Sequence, residues 1–167
     1  MDENKKYIIR IANDKDVDSV VEAVRLLISE LRNNAEVILS PNSKKVAHEI
    51  ICDKDKGVIF VAERTDESKE IIGCITVSLQ EAIHIGGKYA LIQDLWVKPN
   101  FRSLNIGAKL IAEVENYCKE NSFDDLEVCL PKRSFKGFEK TSNFYKNQNF
   151  SEISTRMRKE VELKSKR

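Results

Sequence analysis

Long apolar runs, paired cysteines and a strong net charge are all missing from this chain of 167 residues, and each absence excludes a class of protein. No stretch approaches the ~20 apolar residues that a helix needs to cross a bilayer, so no membrane partner is expected. The opening residues Met1-Asp2-Glu3-Asn4-Lys5-Lys6 are polar and lack an apolar h-region, which points to a cytoplasmic protein. Lysine plus arginine number 28 against 27 acidic residues, a net of +1. With neither a basic stripe nor interleaved aromatics, the chain has no footprint for nucleic acid. The four cysteines, Cys52, Cys74, Cys118 and Cys129, lie far apart without Cys-x-x-Cys spacing and read as reduced thiols. Only two histidines occur, His48 and His84, and no metal-type spacing surrounds them, which argues against a zinc site. Repeats, linkers and low-complexity segments are absent. The length suits one domain, over residues 1–161, followed by a basic tail at 162–167.

What the chain does have is a clear alternation of strand and helix periods. A strand over 7–12 runs to Asn13 or Asp14, either of which can cap a helix carrying Val17, Val20, Val21, Val24, Leu27, Ile28 and Leu31 at helical spacing. A shorter helix follows over 43–52. Strands at 58–64 and 70–80 flank the polar turn 65–69 as an antiparallel hairpin, and Gly86-Gly87 marks the next turn. Then come a strand over 89–97, a helix from 105 to about 121, a strand over 126–130 ended by Pro131, a short helix over 141–147 and a last strand over 151–161. The order βαα-βββ-αβαβ predicts an α+β, or mixed α/β, domain. Its sheet of six to seven twisted, mostly antiparallel strands would be flanked by about four helices, with one strand-helix-strand crossover at the centre.

Two local features carry chemistry. Residues 96–111 form an apolar strand, a short basic turn and an amphipathic helix in which Ile106, Leu110, Val114 and Cys118 share a face. The first turn of a helix leaves backbone N–H groups unpaired, and the helix dipole there favours negative charge, so a phosphate would fit. Asn105 suits the N-cap, and Gly107 would let a ligand approach the backbone. An ordinary strand-turn-helix connection without a ligand explains these features equally well. The second feature is Gln93 and Asp94, which interrupt an otherwise apolar strand on opposite faces. A carboxylate there is costly unless paired or used: either Asp94 accepts hydrogen bonds from a neighbouring loop, or it belongs to a site.

The order of elements and three patterns together resemble the GNAT superfamily of acyl-CoA-dependent N-acyltransferases over nearly the whole chain. Ile8-Ile9-Arg10-Ile11-Ala12-Asn13-Asp14-Lys15-Asp16 is similar to the family's first strand and helix start. Leu95-Trp96-Val97-Lys98-Pro99-Asn100-Phe101-Arg102 followed by Ile106-Gly107-Ala108-Lys109-Leu110 resembles its pyrophosphate motif, Gln/Arg-x-x-Gly-x-Gly/Ala. Ser142-Asn143-Phe144-Tyr145-Lys146-Asn147-Gln148-Asn149-Phe150 resembles its closing Phe-Tyr-x-x-x-Gly-Phe. The chain departs from the pattern where Ser103, Asn105 and Asn149 replace frequent glycines. Asn tolerates left-handed backbone better than other non-glycine residues, which makes two of these changes mild.

This resemblance implies acetyl-CoA as cosubstrate, no metal, and a cofactor-binding set of Leu95, Trp96, Val97, Arg102, Ser103, Leu104, Asn105, Ile106, Gly107, Ala108 and Lys109. Backbone amides from Leu104 to Ala108 would cradle the pyrophosphate, with charge added by Arg102 and Lys109. Strands 89–97 and 126–130 would splay apart, and the pantetheine arm would pair with Leu95 and Val97 on the exposed edge. Tyr145 would protonate the departing thiolate, unless it merely packs beside Phe144. Asp94 is the candidate base, through a water, and Gln93 would orient the amine or that water; direct binding of a cationic substrate or a structural role are the other readings of Asp94. Leu91 stands at another of the family's acidic positions and carries no proton chemistry. The Val97 N–H would hold the oxyanion.

No Gly-x-Ser-x-Gly elbow or paired Cys and His pattern offers a nucleophile, and the resemblance implies direct attack by the amine in a ternary complex. The product would be an N-acetylated primary amine, of a small molecule or of a protein or peptide. The alternative is a non-catalytic acyl-CoA sensor or partner-binding domain on the same fold. Residues 27–52 and 80–88 would shape the acceptor side, where Glu30, Glu36, Glu49 and Glu81 either line a pocket for a cation or are simply solvated. The family often pairs through its last strands, so the resemblance admits a homodimer.

Overall fold

Asn13 closes the first strand and starts the helical segment behind it. Its side chain accepts from the Lys15 amide while the Asp16 carboxylate accepts from the Asn13 amide, a reciprocal capping box. One 3-10 turn, Asp14–Asp16, then carries the chain into the first α-helix. In this computed structural model, which describes residues 7–154 and 156–159, the elements are β1 (Tyr7–Ile11), α1 (Val17–Leu31), α2 (Ser43–Cys52), β2 (Gly57–Arg64), β3 (Ile71–Ala82) and β4 (Gly87–Val97). After these come α3 (Ile106–Glu120), β5 (Leu126–Val128) and α4 (Phe138–Lys146).

One sheet of five strands, in the order β1-β2-β3-β4-β5, divides two apolar layers. The first three pairings are antiparallel; β4 and β5 run parallel, joined by the crossover through α3. On one face Ile106, Leu110, Ile111, Val114 and Cys118 of α3 press on Phe60, Ile75, Val77 and Ile92. Each such side chain contributes ~1.5–3 kcal/mol by leaving water. On the other face Val20, Ala23 and Ala47 of α1 and α2 cover Ile59, Val61, Cys74 and Trp96. An ion cluster pins the corner where β1, β2 and the start of α1 meet. Arg10 donates to both Asp16 oxygens at 2.7 and 2.9 Å, and its Nε donates to Glu63 at 2.7 Å. Burial pushes the Asp16 carboxyl up, but the hydrogen bonds from Arg10 and the Asn13 amide outweigh it and hold the group below its ordinary range.

The mixed α+β class and, among the described residues, the four helices and one parallel crossover match the expectation from sequence. The later elements differ from it. β5 stops at Val128, two residues short, and α4 begins at Phe138, three residues early. Of the expected last strand, residues 151–154 and 156–159 form no strand, while 155, 160 and 161 lie outside the described residues, as does the tail at 162–167. The sheet therefore has five strands among the described residues rather than six to seven. A strand needs a ladder partner, and Ile153 and Met157, which would supply its apolar face, are instead 71% and 94% exposed.

Candidate active site

The site is built on an irregularity of β4. Thr76 faces Asp94 across the β3–β4 ladder and Val77 faces Ile92, so Gln93 is an extra residue, a β-bulge. The bulge corrects the expectation that Gln93 and Asp94 occupy opposite faces. Thr76 Oγ1 donates to Asp94 Oδ2 at 2.6 Å, and Gln93 Nε2 donates to Ser78 Oγ at 2.8 Å. Thr76 and Ser78 are two apart on β3 and share a face, so both β4 side chains turn to one side. The donor to Asp94 is therefore the neighbouring strand and not a loop. Burial raises the Asp94 carboxyl above its ordinary value, and the Thr76 hydroxyl offsets that only in part.

Beyond the bulge, β4 has one free edge. The Lys98 amide donates to the Ile72 carbonyl at 2.9 Å, so by alternation Trp96 and Asp94 also aim their backbone groups at β3. Leu95 and Val97 aim theirs the other way. β5 pairs only with Ala90, Leu91 and Ile92, so nothing of β5 lies beside that stretch. One acceptor on the edge is already taken: Arg102 Nε donates to the Val97 carbonyl at 2.8 Å. The Arg102 guanidinium goes on to grip Glu30 of α1 at 2.7 and 2.9 Å, and Glu30 also accepts from Trp96 Nε1 at 3.3 Å. Arg102 and Glu30 thus neutralise each other.

The edge leads into the start of α3. Ser103 and Asn105 are left-handed, with φ of 71° and 62°, so two of the missing motif glycines fall where glycine's backbone freedom would be used. Asn105 stands at the N-cap position, yet its side chain makes no cap; its carbonyl accepts from the Lys109 amide at 3.1 Å. From Ser103 to Ala108, including Leu104 and the buried Ile106, no backbone amide has a hydrogen-bond partner among the described residues. Lys109 is exposed, with its ammonium over the Tyr7 ring at 5.1 Å, on the β1 side of the helix. Gly107 answers a packing demand: a Cβ there would sit 3.2 Å from Phe144 Cζ. On the side where a Cβ would stand, the Phe144 ring is its neighbour.

Tyr145 follows Phe144 on α4 and is buried between Phe144 and Phe150, with edge-on ring contacts at 5.2 and 5.4 Å. Asn149, φ 65°, turns the chain so that Phe150 can return over Tyr145. The Tyr145 hydroxyl has no hydrogen-bond partner among the described residues. No buried side-chain oxygen or nitrogen there is left unsatisfied, so this hydroxyl keeps contact with the surface although the residue as a whole is buried. Burial, and then the nearby Asp94 charge, push the phenol well above its ordinary value, so it keeps its proton at neutral pH.

Gln93, Asp94 and the Leu95 and Val97 edge are consecutive on β4, Gly107 packs beside Val97 and Phe144, and the Asp94 charge reaches Tyr145. Arg102 and Lys109 are drawn away toward Glu30 and Tyr7. Sequence reasoning missed Thr76 and Ser78 as partners; the signal was the hairpin register, which sets both opposite the interrupted part of β4.

The chain matches the Acetyltransferase (GNAT) family over residues 25–149. Among solved structures, a possible acetyltransferase from Clostridium difficile 630 superposes with a TM-score of 0.77 at 17% identity, over 95% of this chain and 99% of that one. An aminoglycoside acetyltransferase from an uncultured soil metagenomic sample gives 0.70 at 21% identity, over 95% and 97%. Glucosamine-6-phosphate N-acetyltransferase from Arabidopsis thaliana gives 0.69 at 22% identity, over 95% and 100%. At such identities these structures speak for the fold alone. No curated protein sequence matches the chain.

Proposed function

The chain belongs to the GNAT acetyltransferase family, and from that premise we propose that it moves an acetyl group from acetyl-CoA to a primary amine by direct attack in a ternary complex. One observation carries this reading. The free edge of β4 leads through the 3-10 turn Pro99–Phe101 to six unpartnered amides at the start of α3, and Tyr145 is near enough to Asp94 for that charge to act on its phenol. An extended thioester arm ending in a pyrophosphate suits such an edge. Leu95 would pair with the arm through its N–H and carbonyl, while at Val97 Arg102 holds the carbonyl and leaves only the N–H, free for the thioester oxygen. The amides from Leu104 to Ala108 would take the pyrophosphate. Arg102 adds its charge only by exchanging Glu30 for a phosphate.

In the reaction the amine nitrogen bonds to the thioester carbon, the C–S bond breaks, and each proton needs a destination. A lysine-like amine, with a pKa of about 10.4, costs about 4 kcal/mol to deprotonate at about pH 7.4, whereas an α-amine near about 8 costs less than about 1. Asp94 would take that proton through a water, and its raised pKa brings it nearer the operating pH that suits a base. Gln93 would hold the water or the amine. The Val97 N–H would stabilise the oxyanion, and Tyr145 would give its proton to the thiolate. Residues 1–161 would act as one domain, alone or as a homodimer, and among the described residues no helix is long and apolar enough to cross a membrane.

The test is thiol release from acetyl-CoA across a panel of amines, including aminoglycosides, amino-sugar phosphates, α-amines and lysyl peptides, beside a thermal-shift measurement of binding. Release with one amine class supports the proposal and names the acceptor. Stabilisation by CoA with no release on any amine would make the chain an acyl-CoA sensor, and ping-pong kinetics would rule out direct attack.

A further inference from the structure

We propose that Asp14, His48 and Cys52 form a binding site for a zinc ion, built from α2 and the 3-10 turn before α1 and using none of the residues assigned to acetyl transfer. His48 and Cys52 are four residues apart on α2 and therefore share a face. Asp14, in the 3-10 turn before α1, lies against that face. Cys52 Sγ is 3.4 Å from Asp14 Oδ1, His48 Nε2 is 3.7 Å from the same oxygen, and His48 Nε2 is 3.7 Å from Cys52 Sγ. All three donor atoms lie within 4.8 Å of one another.

Those separations are close to what zinc requires. Tetrahedral bonds of about 2.0–2.1 Å to nitrogen and oxygen and about 2.3 Å to sulfur set pairs of donors roughly 3.3–3.6 Å apart. The donor-to-donor distances differ from these by only a few tenths of an ångström, and the imidazole, which now presents both ring nitrogens to Cys52 Sγ at 3.7 and 3.9 Å, would turn to aim Nε2 at the ion. Thiolate, imidazole and carboxylate together suit zinc better than magnesium or calcium, which take oxygen donors. The scaffold is held on both sides, by the Asn13 capping box beneath Asp14 and by the helix that carries the other two donors. Among the described residues no lysine or arginine pairs with Asp14 to compete for it. All three side chains are exposed, which leaves a fourth position to water. On binding, the Cys52 thiol gives its proton to solvent and the metal replaces its hydrogen bond to Asp14. The spacing of the two histidines conceals this site, because its second helical donor is a cysteine.

The chelator-treated protein titrated with cobalt, then with zinc, tests this without reference to acetyl transfer. One cobalt per chain is expected, with a thiolate-to-metal charge-transfer band that zinc abolishes and a zinc-dependent rise in Tm. Cys52→Ser should erase the band. Asp14→Asn and His48→Gln should each weaken zinc binding by more than the ~10–100-fold that loss of an outer partner costs. Exposed positions make these variants safe to fold, which their metal-free Tm verifies. Absence of the band, its survival in Cys52→Ser, or unchanged zinc affinity in both other variants would overturn the proposal.

Discussion

Tyr145→Phe removes a single oxygen from the site, and the surroundings of that oxygen set what should follow. The ring stays between Phe144 and Phe150, so the two edge-on contacts, worth ~0.5–1.5 kcal/mol each, survive. The lost hydroxyl has no partner among the described residues, so no donor or acceptor is stranded and stability should change by less than ~0.5 kcal/mol. Catalysis should behave differently. A positioned general acid supplies about 10²–10⁴-fold, so kcat should fall ~10²-fold or more, ~2.7 kcal/mol of barrier, while the Kd for acetyl-CoA barely moves. Burial and the Asp94 charge keep the phenol protonated well past its ordinary range, so the wild-type kcat should show no alkaline decline from this group. The assay is thiol release at saturating substrates, with single-turnover rates to establish that chemistry limits turnover. An unchanged kcat under that condition would remove Tyr145 from the reaction and leave it a packing residue.

Three further outcomes are expected. Burial raises the Asp94 carboxyl above its ordinary 3.8, so protonation favours the folded chain, and that contribution is complete below the unfolded value and lost as pH rises through the folded one. Asp94→Asn should therefore raise Tm at neutral pH, with the gain closing in acid below about 3.8, while acetyl transfer to a strongly basic amine falls; melting curves at two pH values and rates on one amine check both. Arg10→Met should strand the Asp16 and Glu63 carboxylates, cost ~3–5 kcal/mol and lower Tm by ~6–20 °C. Because the Asp16 pKa is lowered, its stabilisation is present above 3.8 and lost as pH falls, so the gap between wild type and Arg10→Met should narrow in acid. Ser103→Gly should relieve a left-handed backbone and add up to ~1 kcal/mol, or ~2–4 °C in Tm, whereas Asn105→Gly should add less; thermal unfolding of the two separates them.

Legibility from sequence followed the range of the forces involved. α1 and α2 could be read almost to the residue because their signals are local: the Asn13 cap and a regular apolar stripe. The hairpin of β2 and β3 was equally plain around its polar turn. The expected strand over 151–161 was not found among the described residues, since alternation shows that a segment could pair but not which edge receives it. α4 starts three residues early, with Gly137 at its N-cap position. Left-handed backbone at Ser103, Asn105 and Asn149 falls where the chain departs from the family's glycines, a departure plain in the motif order. The bulge at Gln93, the Thr76 hydrogen bond and the Glu30–Arg102 pair were not legible, because each depends on register or on a contact between distant elements.

Incubating the chain with acetyl-CoA and a panel of primary amines, and reading the product by mass together with thiol release, tests the assignment most directly. The expected result is one class of amine gaining an acetyl group, with equimolar thiol and initial-rate lines that intersect when both substrates are varied. A chain that binds acetyl-CoA yet acetylates no amine and releases no thiol would contradict it.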